Sequence, residues 1–356
     1  MFEIIAAWFR RYFSDPQAVT LICLLVGIIF ILTTLGHILA PALASLVIAY
    51  LLQGIVVRLE RLKIPHSLAV ILTFSLFVGL LIFALLGFIP LLWEQANHLI
   101  NQLPQMANQG QLLLGKLTTT YANYFIPDNQ MQNFLFAFKN DFAKFGQLVL
   151  SASIASIPTV LMLGIYFILV PMMVYFFLMD KQVLLNWAKN YFPKNRSIIR
   201  KVWFEVNQQI GNYIRGKVLE IILVGVACYA FFAWIHLPYA MLLAALVGIS
   251  VIIPYIGAII VTIPVVLVGI FQWGWHAQFA YLMIGYTILV ILDGNILVPL
   301  LFSEAVDLHP VAIILAILFF GGLWGFWGVF FAIPIAIVVK AVLGAWPKPV
   351  ESSHAR

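Results

Sequence analysis

The sequence predicts an all-α, polytopic integral membrane protein of about seven to eight membrane segments. Two of these are long and either broken or folded into hairpins, and an extracytoplasmic helical insertion is added. Three observations predict it. Hydrophobic residues make up 64% of the chain and charged ones only 9%, against about 25% charged in a soluble domain. Apolar stretches recur at about the 20 residues a helix needs to cross roughly 30 Å of hydrocarbon. Cations gather in short clusters beside those stretches, which is how membrane proteins fix their orientation. With a mean hydropathy of +1.06, lipid must be the solvent for most of the chain.

Residues 1–90 read as three N-terminal membrane helices. Ser14-Asp15-Pro16 combines a capping side chain with proline in a first turn, a helix-start signature. Helix one then runs from Ala18 to Leu35, Gly36 and His37 make a short turn, and helix two continues to Val57. A polar loop with Arg58, Glu60, Arg61 and Lys63 leads to a third span, Leu68 to Ile89.

Residues 91–150 bring back charges, Asn, Gln and Pro, yet Met131, Leu135, Phe138, Phe142, Phe145 and Val149 step by four and three. That spacing is one helix face, covered by neighbouring helices of the same subunit or by a second subunit. Residues 151–179 form a fourth membrane helix that Pro158 and Pro171 can kink. Residues 180–217 hold eight Lys or Arg, with Trp203, Val206, Ile210 and Tyr213 on one stripe, the pattern of an amphipathic helix on the membrane face. The C-terminal membrane region, 218–343, contains spans at Val218 to Ile235 and Ala277 to Leu301. Ala240 to Phe271 is overlong and interrupted at Pro254-Tyr255-Ile256-Gly257. Val311 to Leu343 is overlong too, interrupted by Gly321, Gly322, Gly325, Gly328 and Pro334. Each overlong segment crosses once or forms a hairpin of two shorter helices. A tail, 344–356, ends the chain.

Crossing after each span puts 16 of the 19 Lys and Arg on one side, so both termini are expected in the cytoplasm. The same clustering sets aside nucleic acid as a partner despite the net charge of +6. Cys23 and Cys228 both lie in apolar spans, where free thiols act as small hydrophobes. No metal-ligand spacing appears among the seven histidines, and neither cofactor nor metal is expected. Gly211 to Lys217, GNYIRGK, imitates a phosphate loop, but Val218 replaces the Ser or Thr that would hold magnesium and no strand precedes it. No intramembrane protease motif appears, so the chain does not read as an enzyme.

Function is expected where polarity enters hydrocarbon. Asp293-Gly294-Asn295 lies deep in an apolar stretch. A carboxylate there costs several kcal/mol unless it meets a cavity, a partner or an ion path. Asp293 could bind a cation or proton with Asn295 beside it, or could cap backbone amides freed nearby. Breaks such as Pro254-Tyr255-Ile256-Gly257, Pro299 and the Gly321 to Pro334 cluster free backbone groups that must line water or be buried. Paired broken segments are a sequence pointer to a transporter site, although Gly321 and Gly325 also fit close helix packing. Glu220, beside Lys217, reads as a snorkelling or salt-bridged residue.

IPYIGAIIVTIP at Ile253 to Pro264, LDGNILVPLLFSEAVDLHP at Leu292 to Pro310 and GGLWGFWGVFFAIP at Gly321 to Pro334 resemble the signature of the autoinducer-2 exporter (AI-2E) family. SDPQA at Ser14 to Ala18 and NYIRGKVLE at Asn212 to Glu220 are similar to its PerM branch. The resemblance runs essentially end to end. It implies a bacterial inner-membrane permease, a homo-oligomer, with Pro254, Gly257, Asn295, Pro299, His309, Pro310, Gly321, Gly325 and Pro334 as motif positions. Ser303-Glu304 departs from the Gly-plus-charge pair of many members. The function expected is secondary transport of a small polar solute, signal molecule or ion. A passive oligomeric channel and a non-transporting membrane scaffold are the alternatives.

Overall fold

In a computed structural model of the chain, the described residues are 16–121, 157–190, 197–254, 256–302 and 308–345, and all regular structure among them is helical. The helices are α1 (Pro16–Arg61), α2 (His66–Phe83), α3 (Ile89–Tyr121), α4 (Ile157–Met179), α5 (Lys181–Lys189) and α6 (Ser197–Trp234). They continue with α7 (Ala240–Ser250), α8 (Ile256–Trp273), α9 (Ala277–Leu292), α10 (Val298–Phe302) and α11 (Pro310–Gly344). Among the described residues six helices are long and apolar enough to cross a bilayer. The bent pair Gly164–Met179 and Lys181–Lys189, at 76°, makes a seventh if counted as one span. The Met131 to Val149 stripe lies outside the described residues.

Two compact units divide the chain. One comprises Met1–Ser75, Leu169–Leu219 and Leu297–Arg356, and the other Leu76–Ile168 and Glu220–Ile296.

In the first unit, α1 runs unbroken for 46 residues, about 69 Å at the helical rise. The turn expected at Gly36-His37 is absent. Gly36 is a notch, not a bend: a Cβ there would overlap the indole of Trp324 on α11, and Trp324 stacks on Phe331. Inside a bilayer, helices associate through such packing because lipid is as apolar as leucine, and small residues permit the approach. Losing the turn also removes one crossing from the charge count, so orientation rests on the later cation clusters. We expect Gly36→Leu to push Trp324 off α1 and cost ~1–3 kcal/mol by overpacking, read as thermal unfolding in detergent. Gly27→Leu, where a Cβ meets nothing within 4 Å, should leave that transition unmoved.

The basic stripe also differs from expectation. Residues 197–217 do not form a separate interfacial helix but are the first half of the 38-residue α6. Val202 and its neighbour Val206 pack on Val338, Ala341 and Val342, while Tyr213 and Ile214 pack on Ile333 and Ile337. The stripe is covered by α11 rather than by lipid, and only Trp203 stays exposed. The glycines of the false phosphate loop serve the same packing, Gly211 against Tyr50 and Gly216 against Phe302. The boundary expected at residue 90 is likewise crossed by helix, since α2 passes into α3 through a π turn, Ala84–Phe88.

The second unit is built around α6, α7, α8 and α9. Cys228, Phe232, Leu243, Val247, Val265, Leu282 and Tyr286 form its buried core.

Candidate functional site: two hairpins and a widened turn

Both overlong segments are hairpins. In the second unit, α7 spans 11 residues, about 16 Å, too short to cross. The chain turns at 251–254 and returns as α8. The Ile253 amide donates to Ser250 O at 3.0 Å and the Gly257 amide to Ile253 O at 3.0 Å, which pairs backbone groups that lipid could not satisfy. A Cβ on Gly257 would overlap the Ser250 carbonyl oxygen, so the returning arm leaves the turn only because that side chain is missing. Pro254 sits in the turn half-buried, and Tyr255 lies outside the described residues.

In the first unit, α11 doubles back at Gly325, whose φ of 59° and ψ of −136° belong to a region open essentially to glycine alone. A Cβ on Gly328 would overlap Phe320 O, and one on Gly321 would press on Val329. Ile317, Phe320 and Ala332 share one buried cluster across the two arms. Gly322 faces open space, and Pro334 sits half-buried within the second arm. His309 and Pro310 start the first arm: His309 is the extended capping residue, its Nδ1 accepting from the Val311 amide at 3.3 Å, and Pro310 occupies the first turn.

Between these hairpins in sequence, the helix carrying Asp293 widens into a π turn, Asp293–Leu297, before α10. Pro299 explains the widening. It has no N–H to offer the carbonyl four residues back and its ring crowds that carbonyl, which here belongs to Asn295 in the middle of the bulge. Pro90 stands in the same relation to the Ala84–Phe88 turn, so one rule makes both bulges, and π bulges often mark functional positions. Asn295 is exposed and donates Nδ2 to Ile291 O at 2.9 Å, repairing the ladder with one of its amide groups.

Asp293 is half-buried and lies within electrostatic reach of the buried Cys228 of α6. Two turns before it, Tyr286 donates to Thr262 Oγ1 at 3.1 Å, while Thr262 donates to Ala258 O at 2.7 Å. This chain of bonds ties the Asp293 helix to the returning arm of the first hairpin. The second unit therefore contains Pro254, Gly257, Asp293 and Asn295, whereas Gly321, Gly322, Gly325, Gly328, Pro334, His309 and Pro310 belong to the first unit.

One expectation is narrowed by the structure and one feature is new. Glu220 is only 2% exposed, so it does not snorkel. It falls on the buried face of α6 with Tyr213 and Gly216, a spacing that could have exposed it. A polar cleft of about 310 Å³ in the second unit is lined by Gln102, Gln105, Tyr239 and Gln272 among others. Burial raises the Tyr239 phenol above its ordinary value, and its backbone is left-handed at φ 60°. Among the described residues no group of His, Cys, Asp or Glu could hold a metal ion.

Residues 19–348 match the AI-2E family transporter description. The chain is 45% identical over 353 residues to "Putative permease PerM" of Escherichia coli (strain K12), with 98% of each chain covered. The chain belongs to the AI-2E family. Two other relatives are "Putative transport protein YueF" of Bacillus subtilis (strain 168), 30% identical with 88% of each chain covered, and a "Putative transport protein" of Haemophilus influenzae, 26% identical with 89% of each covered. For an AI-2E protein, both hairpins, the widened turn and the His309-Pro310 helix start fall inside the matched residues. The AI-2E match and the apolar helices together make this a multi-pass membrane protein of a transporter family.

Proposed function

We propose that the chain is an inner-membrane carrier that moves a small polar solute or ion by secondary transport. Its proposed site is formed by Asp293 and Asn295 with the first-hairpin turn at Pro254 and Gly257. One observation carries the reading: an apolar segment whose first arm of 11 residues is too short to cross the hydrocarbon reverses in the same unit as a half-buried carboxylate, and its turn amides at Ile253 and Gly257 find partners inside the protein. Irregular backbone at that depth is tolerated where it is buried or lines a water-filled path.

Orientation follows the remaining cations. With the Arg58 to Lys63 loop, residues 180–217 and the C-terminal tail in the cytoplasm, α6 crosses outward and α9–α10 inward. The first hairpin then enters from outside and the second from inside. Two such devices suit alternating access, in which opening to one face requires closure to the other.

The deciding experiment compares metabolites retained by a deletion strain with those of its parent, then follows the solute that differs in reconstituted vesicles. Saturable flux driven by an imposed proton or sodium gradient is expected. No differing solute, or flux indifferent to every gradient with single-channel currents in planar bilayers, would overturn the carrier in favour of a scaffold or a channel.

A further inference from the structure

We infer that the polar cleft at the foot of the first hairpin binds a small uncharged solute with a paired hydrogen-bond donor and acceptor, of the primary-carboxamide kind. This deepens the carrier reading, and rests on it for what the binding serves, by naming a solute class and a second station apart from Asp293.

The cleft, at about 310 Å³, has the small end of the size range for small-molecule sites, about 300–1,000 Å³. Three elements of the second unit meet at it. Helix α3 brings Gln102, Gln105 and Met106, the turn before α7 brings Tyr239, and the end of α8 brings Val268 and Gln272. Val268 and Met106 are 1% and 8% exposed and supply an apolar floor. The glutamines are exposed and Tyr239 is half-buried, so the polar groups form the rim.

These groups stand on a fixed frame. Gln95, Leu99, Gln102 and Met106 step by four, three and four, which is one face of α3. The Leu242 amide, in the first turn of α7, donates to Gln95 Oε1 at 3.0 Å, and Leu99 packs on the core of the unit. Gln102 therefore belongs to the docked face of its helix. Tyr239 packs on the same core with a left-handed backbone, φ 60°, which a bulky residue seldom adopts. Backbone strain of this kind gathers at ligand clamps.

The surroundings select an uncharged guest. Residues 221–292, which include both hairpin arms, contain no Asp, Glu, Lys or Arg. On α3, Glu94 and His98 approach one another at 3.9 Å beside a separate cleft. Among the described residues no charged side chain lines the one at the hairpin foot. An ion entering it gives up hydration and gains no countercharge. A carboxamide fares better. Each glutamine amide offers two donors and an acceptor, and the phenol one donor and one acceptor, so the edge of one amide pairs with the edge of another. A guest held this way bridges α3 to both feet of the hairpin, and movement of the hairpin away from α3 releases it.

The test uses the full chain in deuterated detergent near neutral pH, with saturation-transfer NMR reading binding directly. The probes are nicotinamide, the nicotinate anion and the ring-methylated nicotinamide cation, which share a ring and nearly a size but differ in charge. We expect nicotinamide to half-saturate at a concentration roughly tenfold below either ion, a modest penalty for placing a charge without a partner. Gln102→Leu and Gln272→Leu should each weaken nicotinamide about tenfold, the loss of one hydrogen bond that leaves its partner unsatisfied. Asn97→Leu, on the face of the separate cleft, should leave its binding as in the wild type. No transfer to nicotinamide, equal binding of all three probes, or binding that survives both leucine variants would overturn the inference. The comparison of probes on the wild type decides even if a variant fails to fold. Nicotinamide binding as expected in a protein that moves no solute would keep the site and remove the carrier. Gradient-driven flux without any preference for the uncharged probe would remove this site alone.

Discussion

Gly257→Ala and Gly328→Ala are each expected to cost about 3 kcal/mol or more, placing them among the most damaging single methyl groups the chain could receive. At both positions the added carbon would overlap a backbone carbonyl oxygen of the opposing arm, Ser250 O and Phe320 O respectively. A crowded side chain can rotate away, which holds ordinary overpacking to ~1–3 kcal/mol. A carbonyl inside a hairpin can move only with its helix, so the arms must splay and their paired backbone groups separate in lipid. Gly325→Ala isolates the other cost. Nothing lies within 4 Å of its Cβ, so only the forbidden φ/ψ is charged, ~1–3 kcal/mol. Gly322→Ala, in open space on a regular stretch of helix, should be neutral or slightly favourable, since alanine is the better helix former by ~1 kcal/mol. The order is read from the temperature at which the detergent-solubilised protein loses its monodisperse peak. If Gly328→Ala melts with Gly322→Ala, the second segment is not a hairpin.

That ranking shows what was legible in the residues and what was not. The helical class and the apolar segments follow from composition, because lipid imposes one solution on long apolar stretches. The hairpins were visible as an alternative: Pro254-Tyr255-Ile256-Gly257 and the glycines from Gly321 mark a break, but a break does not say whether the chain goes on or turns back. The answer depends on Gly257 and Gly328 meeting the opposite arm, a contact between residues that no local pattern contains.

Gly36 shows the converse. Its residue type signals a turn, yet a glycine in a helix costs only about 1 kcal/mol, less than seating the Trp324 indole returns through packing. The stripe from Trp203 to Tyr213 was correct as an apolar face and misleading about its cover, since periodicity identifies a face without naming what lies against it. Glu220 was legible only as a choice between snorkelling and pairing for the same reason. Beside Lys217 it looks like an ordinary end-of-helix pair, and only its place on the face with Tyr213 and Gly216 reveals that it is inside. Asp293, by contrast, was legible because no cation and no loop accompany it.

Asp293→Asn is expected to lower transport about tenfold to a hundredfold while leaving membrane level and thermal unfolding within ~1 kcal/mol of wild type. The magnitude follows from replacing a charged hydrogen-bond partner by a neutral one, worth ~1.5–3 kcal/mol. The substitution is informative because Asp293 has a structural role open to it as well, at the entrance of a π turn where backbone groups change partners. Asparagine has nearly the shape of aspartate and caps helix backbone about as well, so a role confined to holding the bulge survives the change. A role in holding a cation or a proton does not, because an amide carries no charge at any pH that matters here. Asp293→Glu, which keeps the charge and displaces it by one methylene, should retain part of the flux. The readout is the rate in reconstituted vesicles for the solute that distinguishes the deletion strain, set beside the melting temperature of the same preparation. Wild-type flux from Asp293→Asn would remove Asp293 from the mechanism. A parallel fall in flux and stability would make it a support for the bulge that Pro299 creates. Loss of flux at unchanged stability assigns the effect to the charge, and the polar route through this part of the protein must then pass the carboxylate.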